Sequence, residues 1–286
     1  MRSYEYPVDY SLMSDTELLE LVFLAEDRLE RPAAEEIARR RSLEGALAQI
    51  IMDKNSWVAE LPEWWAVVHA TYLLGFRGGA RQVVPLLAAL RWADAFDCDW
   101  VTELLPSIFG RIGPAAISGL KAVAADPTAG ISARDLAMQS LAAVSLGAPE
   151  VEQEVFGFIG AVFMDPSEER VLRQLAGHIL LDFRRQEYRM ALITFAREQA
   201  RIAEPWEPPA FGPEHVEWTF RDPVPEIWHY RQDWMSFYDP GEIQRRQKRW
   251  YRDRVAKAGR GGRIAPGGGK VLPLWGEGLE PEDGGE

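Results

Sequence analysis

The amino-acid sequence predicts an all-α fold in which antiparallel helical hairpins stack into a right-handed superhelix. Three apolar segments that read as helices each end near a glycine, and these glycines are Gly75, Gly113 and Gly147. Their spacings of 38 and 34 residues match the period of helical-hairpin repeats. No segment between residues 11 and 203 shows the alternation of a β-strand. Every helix has a wide apolar face, and stacked hairpins would bury each of these faces against neighbouring helices.

Residues typical of helix N-termini predict where the first helices begin. Ser14 stands three residues before Glu17, which is the spacing of a capping box, and an apolar stripe follows. A short helix is expected at 32–40, where Pro32 occupies a first-turn position that does not need its missing N–H. Ser42 is expected to cap the next helix, whose apolar residues up to Ile51 recur with helical spacing.

The repeats proper begin at Pro62. The helix at 62–74 is apolar nearly all round, so we expect neighbours on both of its sides. A second capping box at Asp165–Glu168 is expected to open a further helix, and the last repeat helix spans about 187–202. The hairpin helices between these limits are expected at 79–93, 99–110, 114–125, 132–146 and 150–163.

The chain changes character after the repeats, and we divide it into four parts. Residues 1–203 form the helical stack, and residues 204–240 hold seven prolines and nine aromatic residues. So many aromatic side chains are unfavourable in water, so this part is expected to dock as a strap that closes the C-terminal end of the stack, with a short helix at 224–238. A basic helix at 241–258 and a Gly-rich, acidic tail at 259–286 follow; the tail is expected to order only when bound.

Charge and composition exclude several classes of protein. The net charge is −12, but residues 243–263 hold nine Lys or Arg against one acidic residue, whereas 264–286 hold five acidic residues against Lys270. The acidic remainder repels nucleic acids and anionic membranes at long range.

The single cysteine, Cys98, excludes an internal disulfide and a cysteine-based zinc cluster. With no signal-peptide core and no apolar run of ~20 residues, the chain is expected to be soluble and cytoplasmic.

The pattern of an apolar helix, a turn glycine and a second helix such as Val83–Leu87 or Pro114–Ile117 resembles HEAT-like helical-repeat proteins over roughly residues 60–203. The resemblance implies a scaffold or partner-binding surface; a minority of this class bind nucleic acid and a few act as enzymes. The segment Gly259–Lys270 is similar in frame to the SEC-C zinc motif. Ile264 and Pro266 stand at the motif's two cysteine positions, so zinc cannot be held there.

We therefore expect a non-catalytic scaffold whose concave groove binds a protein or peptide, with no cofactor and no metal. Trp64, Trp65 and His69 are the candidate groove residues. Nucleophile-elbow and phosphate-loop motifs are absent from the sequence. An enzyme built on the repeat scaffold, with His69 and either Glu63 or Asp99 around a pocket, remains an alternative.

A second alternative is nucleic-acid binding through the basic helix at 245–257. Arginine beside aromatic residues suits stacking on bases, but it equally suits docking on the acidic body of the same chain, which we favour. The candidate contact residues are Arg245, Arg246, Lys248, Arg249, Trp250 and Arg252.

Overall fold

The computed structural model describes residues 8–202, 210–221 and 227–259, with side chains up to Arg252. All regular structure in these ranges is helical, and no strand occurs in them. Of the tail predicted at 259–286, Gly259 is the last residue of a helix, and residues 260–286, with nearly all of the SEC-C-like segment, lie outside the described residues. The α-helices of the described ranges are α1 (Asp15–Leu24), α2 (Arg31–Arg39), α3 (Glu44–Met52), α4 (Lys54–Trp57), α5 (Trp65–Arg77), α6 (Val83–Ala95), α7 (Asp99–Thr102), α8 (Leu105–Ile112), α9 (Ile117–Ala124), α10 (Ile131–Gly147), α11 (Glu152–Met164), α12 (Arg170–Asp182), α13 (Arg189–Ile202), α14 (Pro213–Thr219) and α15 (Pro240–Gly259).

The helices pack mainly against those one to three places away in the chain. We call α2, α5, α8, α10 and α12 the first row, because each contacts the next. On the other side α3 packs on α6 and α6 on α9, while α11 packs against α10 and α12. Residues 65–75 of α5 are all buried, as the apolar circumference of this helix predicts. One continuous cluster of buried apolar residues links these helices.

Ion pairs join consecutive segments at a nearly constant separation of 33 to 35 residues. Apart from the largely buried Arg134 pair, these partly exposed pairs each contribute only ~0–1 kcal/mol, so their value here is geometric rather than energetic. They show that the chain meets itself again after about 34 residues at several places. The pairs are Arg77 with Glu44, Arg91 with Asp126, Lys121 with Glu154 and Arg134 with Glu168.

The N-terminal capping box is confirmed, and two other cap predictions are wrong. The Ser14 hydroxyl accepts from the Glu17 backbone N–H at 3.3 Å, and the Glu17 carboxylate accepts from the Ser14 N–H at 2.7 Å. Ser42 lies inside a 3₁₀ turn and does not cap α3. Asp165 accepts from the Ser167 N–H at 2.8 Å and closes a turn, so α12 begins only at Arg170.

The three glycines that suggested the repeat have different roles. Gly113 ends α8 with a φ of +80°, a conformation that favours glycine, as predicted. Gly147 is the last residue of α10. Gly75 is not a terminator, because α5 continues to Arg77 and stops at Gly78. A Cβ at Gly75 would lie 2.7 Å from Cγ2 of Ile108, so its missing side chain allows α5 and α8 to approach closely.

Replacing Gly75 by Ala should therefore destabilise the fold although alanine is the better helix former. We expect a loss of about 1–3 kcal/mol in the free energy of unfolding, because the Ile108 side chain must move. The matched control is Gly157→Ala, in an exposed turn of α11 where an added Cβ meets no atom within 4 Å. There the helix propensity should give a gain of about 0.5–1 kcal/mol. Urea unfolding measures the free energy of unfolding of both variants. If the two substitutions change it equally, the close contact between α5 and α8 is contradicted.

Residues 227–239, which we call the return segment, run lengthwise along the first row from α12 back to α2. The strap at 204–240 was predicted to close the C-terminal end of the stack. Its part at 210–221 packs at that end, where α14 contacts α13 and the Phe211 ring centre lies 6.1 Å from that of Phe195. Residues 227–239 instead run along the first row in the reverse direction. Hydrogen bonds mark its course: Tyr230 to Asp182 of α12, Gln232 to Ser107 of α8, Trp234 to the Tyr72 carbonyl of α5, and Arg31 of α2 to Asp239.

The return segment is also not the short α-helix that its apolar spacing suggested. It holds two 3₁₀ helices, Trp228–Tyr230 and Trp234–Tyr238. The Ser107 hydroxyl accepts the Gln232 backbone N–H at 2.8 Å, and the Asp233 carboxylate accepts that of Met235 at 3.1 Å. These side-chain acceptors replace the carbonyls that an α-helix would supply.

Candidate functional site

The return segment covers the predicted groove residues. Trp65 and His69 are buried beneath it, with 5% and 0% of their surfaces exposed, and Trp64 is half-buried. Nε2 of His69 lies 2.7 Å from the Glu26 carbonyl, which only accepts, so Nε2 carries the proton. Nδ1 then accepts from the Tyr238 hydroxyl at 3.1 Å. Burial lowers the pKa of His69 to about 4, so the ring is neutral and ties the return segment to α5.

The inner side of α15 docks on Asp27. Arg246 is 8% exposed, and its Nη2 donates to the carbonyls of Asp27 at 2.8 Å and Phe237 at 2.7 Å. Its guanidinium carbon lies 3.8 Å from the centre of the Phe237 ring. The buried Asp27 carboxylate accepts from Gln247 at 2.7 Å and from the Trp250 indole at 3.0 Å. Contacts of this kind are expected if the basic helix docks on the body of its own chain.

The candidate contact residues of α15 therefore fall into two groups. Arg246 and Trp250 face the body of the protein, as described above. The other four, Arg245, Lys248, Arg249 and Arg252, are exposed. Arg245 forms an ion pair with Glu242 one turn earlier, so its charge is partly compensated.

A cavity of about 500 Å³ opens where α15, the return segment and the α7–α8 region meet, and we call it the seam cavity. Its size lies within the range of ligand pockets, ~300–1,000 Å³. Aromatic side chains form one wall, and acidic and basic groups are equally represented around it. The aromatic wall is formed by Tyr72, Trp100, Trp228, Trp234 and Phe237; the charged groups are Glu103, Asp233, Glu242, Arg245, Arg246 and Arg249.

Two tryptophans give the seam cavity its recognition chemistry. Trp228 is 69% exposed, which is unusual for so large an apolar side chain. Trp100 is buried, and its indole N–H has no hydrogen-bond partner. The cavity can therefore enclose an apolar or aromatic group against indole rings while Arg245 and Arg249 attract a neighbouring acidic group.

The residues of the enzymatic alternative do not contribute to the seam cavity. Glu63 is exposed, Asp99 begins α7, His69 is buried, and none of the three lines the seam cavity. In the described ranges no group of three or more His, Cys, Asp or Glu side chains is placed to hold a metal ion. Burial raises the pKa of Cys98 to about 12, so its thiol stays protonated and inert.

A second polar cluster fastens the start of the return segment to α10 and α12. Asp182 accepts from the Tyr230 hydroxyl at 2.9 Å and lies 3.5 Å from Nε2 of His229. One oxygen of Asp135 accepts from Gln139 at 2.7 Å, and the other is buried without a hydrogen-bond partner. Burial raises the pKa of Asp135 to about 6; the Gln139 hydrogen bond and the charge of His178 oppose this rise, and the charge of Asp182 adds to it.

Asp135→Asn should stabilise the protein at neutral pH. The pKa of Asp135 is higher in the folded state than its ordinary value of 3.8, so ionisation above pH 6 opposes folding. The variant should gain about 1–3 kcal/mol at pH 7–8, and the gain should shrink as the pH falls towards 4. Urea unfolding of both proteins across this range measures the difference. A gain independent of pH would show that Asp135 does not titrate as a buried carboxyl.

Comparison with models of protein families, with curated proteins and with solved structures finds no match for this chain. None of the helices in the described residues has the length and apolar character needed to cross a membrane. The site therefore has to be interpreted from its own residues. Of these, sequence reasoning missed Trp100, Glu103, Trp228 and Trp234. The density of tryptophan in the strap was the only signal that pointed to two of them.

Proposed function

We propose that this chain is a HEAT-like stack of helical hairpins in a right-handed superhelix, and that it binds a protein or peptide without catalysis. The regular separation of the ion pairs and the succession of contacts along the first row support the stack. We place the binding site at the seam cavity rather than in an open groove. The return segment already covers the surface of the first row with five buried side chains: Tyr230, Trp234, Met235, Phe237 and Tyr238.

The observation that carries the proposal is the exposed Trp228 beside two exposed arginines, Arg245 and Arg249. Tryptophan and arginine are the residue types that dominate binding energy at protein interfaces. The preferred partner is a peptide with an apolar or aromatic side chain that enters between the indoles of Trp228 and Trp234. An acidic residue next to it would pair with Arg249.

Nucleic-acid binding is the second candidate, and one observation favours it. Lys248, Arg249 and Arg252 are exposed on α15, and Arg249 lines the same cavity as Trp228, so phosphates and a stacked base have suitable partners. Three carboxylates in the same cavity, those of Glu103, Asp233 and Glu242, oppose a polyanion. Gel-shift measurements with single-stranded RNA and DNA, starting at 50 mM salt and raising the salt concentration, test this candidate. Binding at 50 mM that weakens steeply as salt is added favours it.

Selection from a peptide-display library tests the preferred function. We expect enriched peptides to combine an aromatic residue with acidic neighbours. Trp228→Ala should weaken their binding by roughly 30-fold, the size of a hot-spot loss of about 2 kcal/mol. Trp218→Ala is the matched control, because Trp218 is 56% exposed on α14 and does not line the cavity. Failure to enrich any peptide, or equal losses in both variants, would contradict the proposal.

A further inference from the structure

The exposed basic residues of α15 form a stripe that leads away from the seam cavity. Arg245, Lys248, Arg249 and Arg252 recur at intervals of three and four residues, which places them on one face of the helix. Arg245 and Arg249 line the cavity, and Arg252 continues the stripe towards the C-terminal end of α15. The stripe therefore connects the cavity with the point where the rest of the chain follows.

The chain beyond α15 is complementary to this stripe. Residues 271–286 contain five acidic residues and no basic one, and Trp275 stands between apolar and acidic neighbours. Because the net charge of the whole chain is −12, an acidic segment is repelled by most of its own protein. Residues 243–263, with nine basic residues against one acidic, are the part of the sequence that attracts it.

The connection is long enough. From Gly259 back to Arg249 is ten residues of helix, or ~15 Å at the helical rise. From Gly259 forward to Trp275 is sixteen residues, which reach ~50 Å when extended. Trp275 can therefore reach the indole of Trp228 while the acidic residues that follow it lie beside the basic stripe.

We infer that residues 271–286 dock in cis on this stripe, with Trp275 in the seam cavity, so that the chain occupies its own binding site until a partner displaces it. The inference rests on the proposed function, because it assigns an occupant to the same site. A segment joined to its binding site by a short stretch of the same chain has an effective concentration of ~1 mM. A tail that binds in trans with a Kd of ~10 μM would thus weaken the binding of a partner by ~100-fold.

The test uses full-length protein and a fluorescent synthetic peptide of residues 268–286. In the tail-neutralised variant, the five acidic residues Glu277, Glu280, Glu282, Asp283 and Glu286 become Gln or Asn and Trp275 becomes Ala. We expect the peptide to bind this variant at least tenfold more tightly than the unaltered protein, measured by fluorescence anisotropy at 50 mM salt. Arg249→Glu in the tail-neutralised background should abolish the binding. Arg197→Glu, the same charge change at an exposed site on α13, should not.

Two results would overturn the inference: no binding of the peptide to the tail-neutralised variant, or equal binding to both proteins. Neither result touches the proposed function, which the display selection tests separately. If the selection is repeated on both proteins, enrichment on both to the same extent retains the function and removes the self-occupation. Failure on both removes the function itself.

Discussion

Arg246→Ala should lower the free energy of unfolding by about 3–5 kcal/mol, the loss expected when one partner of a buried ion pair is removed. The Asp27 carboxylate is 3% exposed, and Nε of Arg246 lies 3.5 Å from it. Without the guanidinium, the buried Asp27 carboxylate keeps its hydrogen bonds from Gln247 and Trp250 but loses its positively charged neighbour. The carbonyls of Asp27 and Phe237 lose their donor. Urea unfolding monitored by circular dichroism gives the value.

Arg245→Ala is the control for this prediction. It removes the same side chain from the neighbouring position of α15, but Arg245 is exposed and pairs only with Glu242 among the ion pairs described. We expect a change within about 0.5 kcal/mol. If the two variants unfold alike, α15 is not docked on Asp27, and the seam cavity loses one of its walls.

Phe237→Ala should cost about 3–5 kcal/mol, as is usual when a buried aromatic side chain is truncated. The guanidinium carbon of Arg246 lies 3.8 Å from the centre of the Phe237 ring. Five other ring centres lie within 6.0 Å of it, those of Trp65, His69, Tyr72, Trp100 and Tyr238. The truncation leaves a void at the point where the return segment, α5 and α15 meet. Phe237→Leu, which keeps most of the volume, should cost less than about 1.5 kcal/mol.

Trp228→Ala separates stability from binding on the same segment. Because the Trp228 side chain is largely exposed, its removal should change the free energy of unfolding by less than about 1 kcal/mol while it weakens peptide binding by roughly 30-fold. A loss of several kcal/mol in Trp228→Ala would mean that this indole is part of the core and not of a binding site.

The helices were predictable because their apolar periodicity and their turn residues are local signals. The helix expected at 99–110 is divided into α7 and α8, but helical structure and the end at Gly113 were found where the pattern placed them. Gly75 was misread because a glycine that permits close helix packing looks the same in sequence as one that ends a helix. Only the position of Ile108, more than thirty residues away, distinguishes the two.

The site was much less predictable, because it depends on where the return segment lies. The contacts that fix its course join residues 48 to 208 positions apart, and no local pattern encodes them. His69, expected in the groove, is instead buried, and its hydrogen-bond partner Tyr238 lies 169 residues away. Trp100 and Trp228 acquire their roles only when that distant segment is in place.

Hydrogen exchange across the return segment tests the central claim, which is that this segment is a permanent part of the fold and leaves the seam cavity as the open site. Backbone N–H groups of Gln232, Met235, Ser236 and Asp239 are hydrogen-bonded in the structure. Peptides covering residues 227–243 should exchange as slowly as those of α5, in one cooperative unit. Complete exchange of 227–243 within seconds, with α5 still protected, would show a detachable segment over an open groove and would contradict the account.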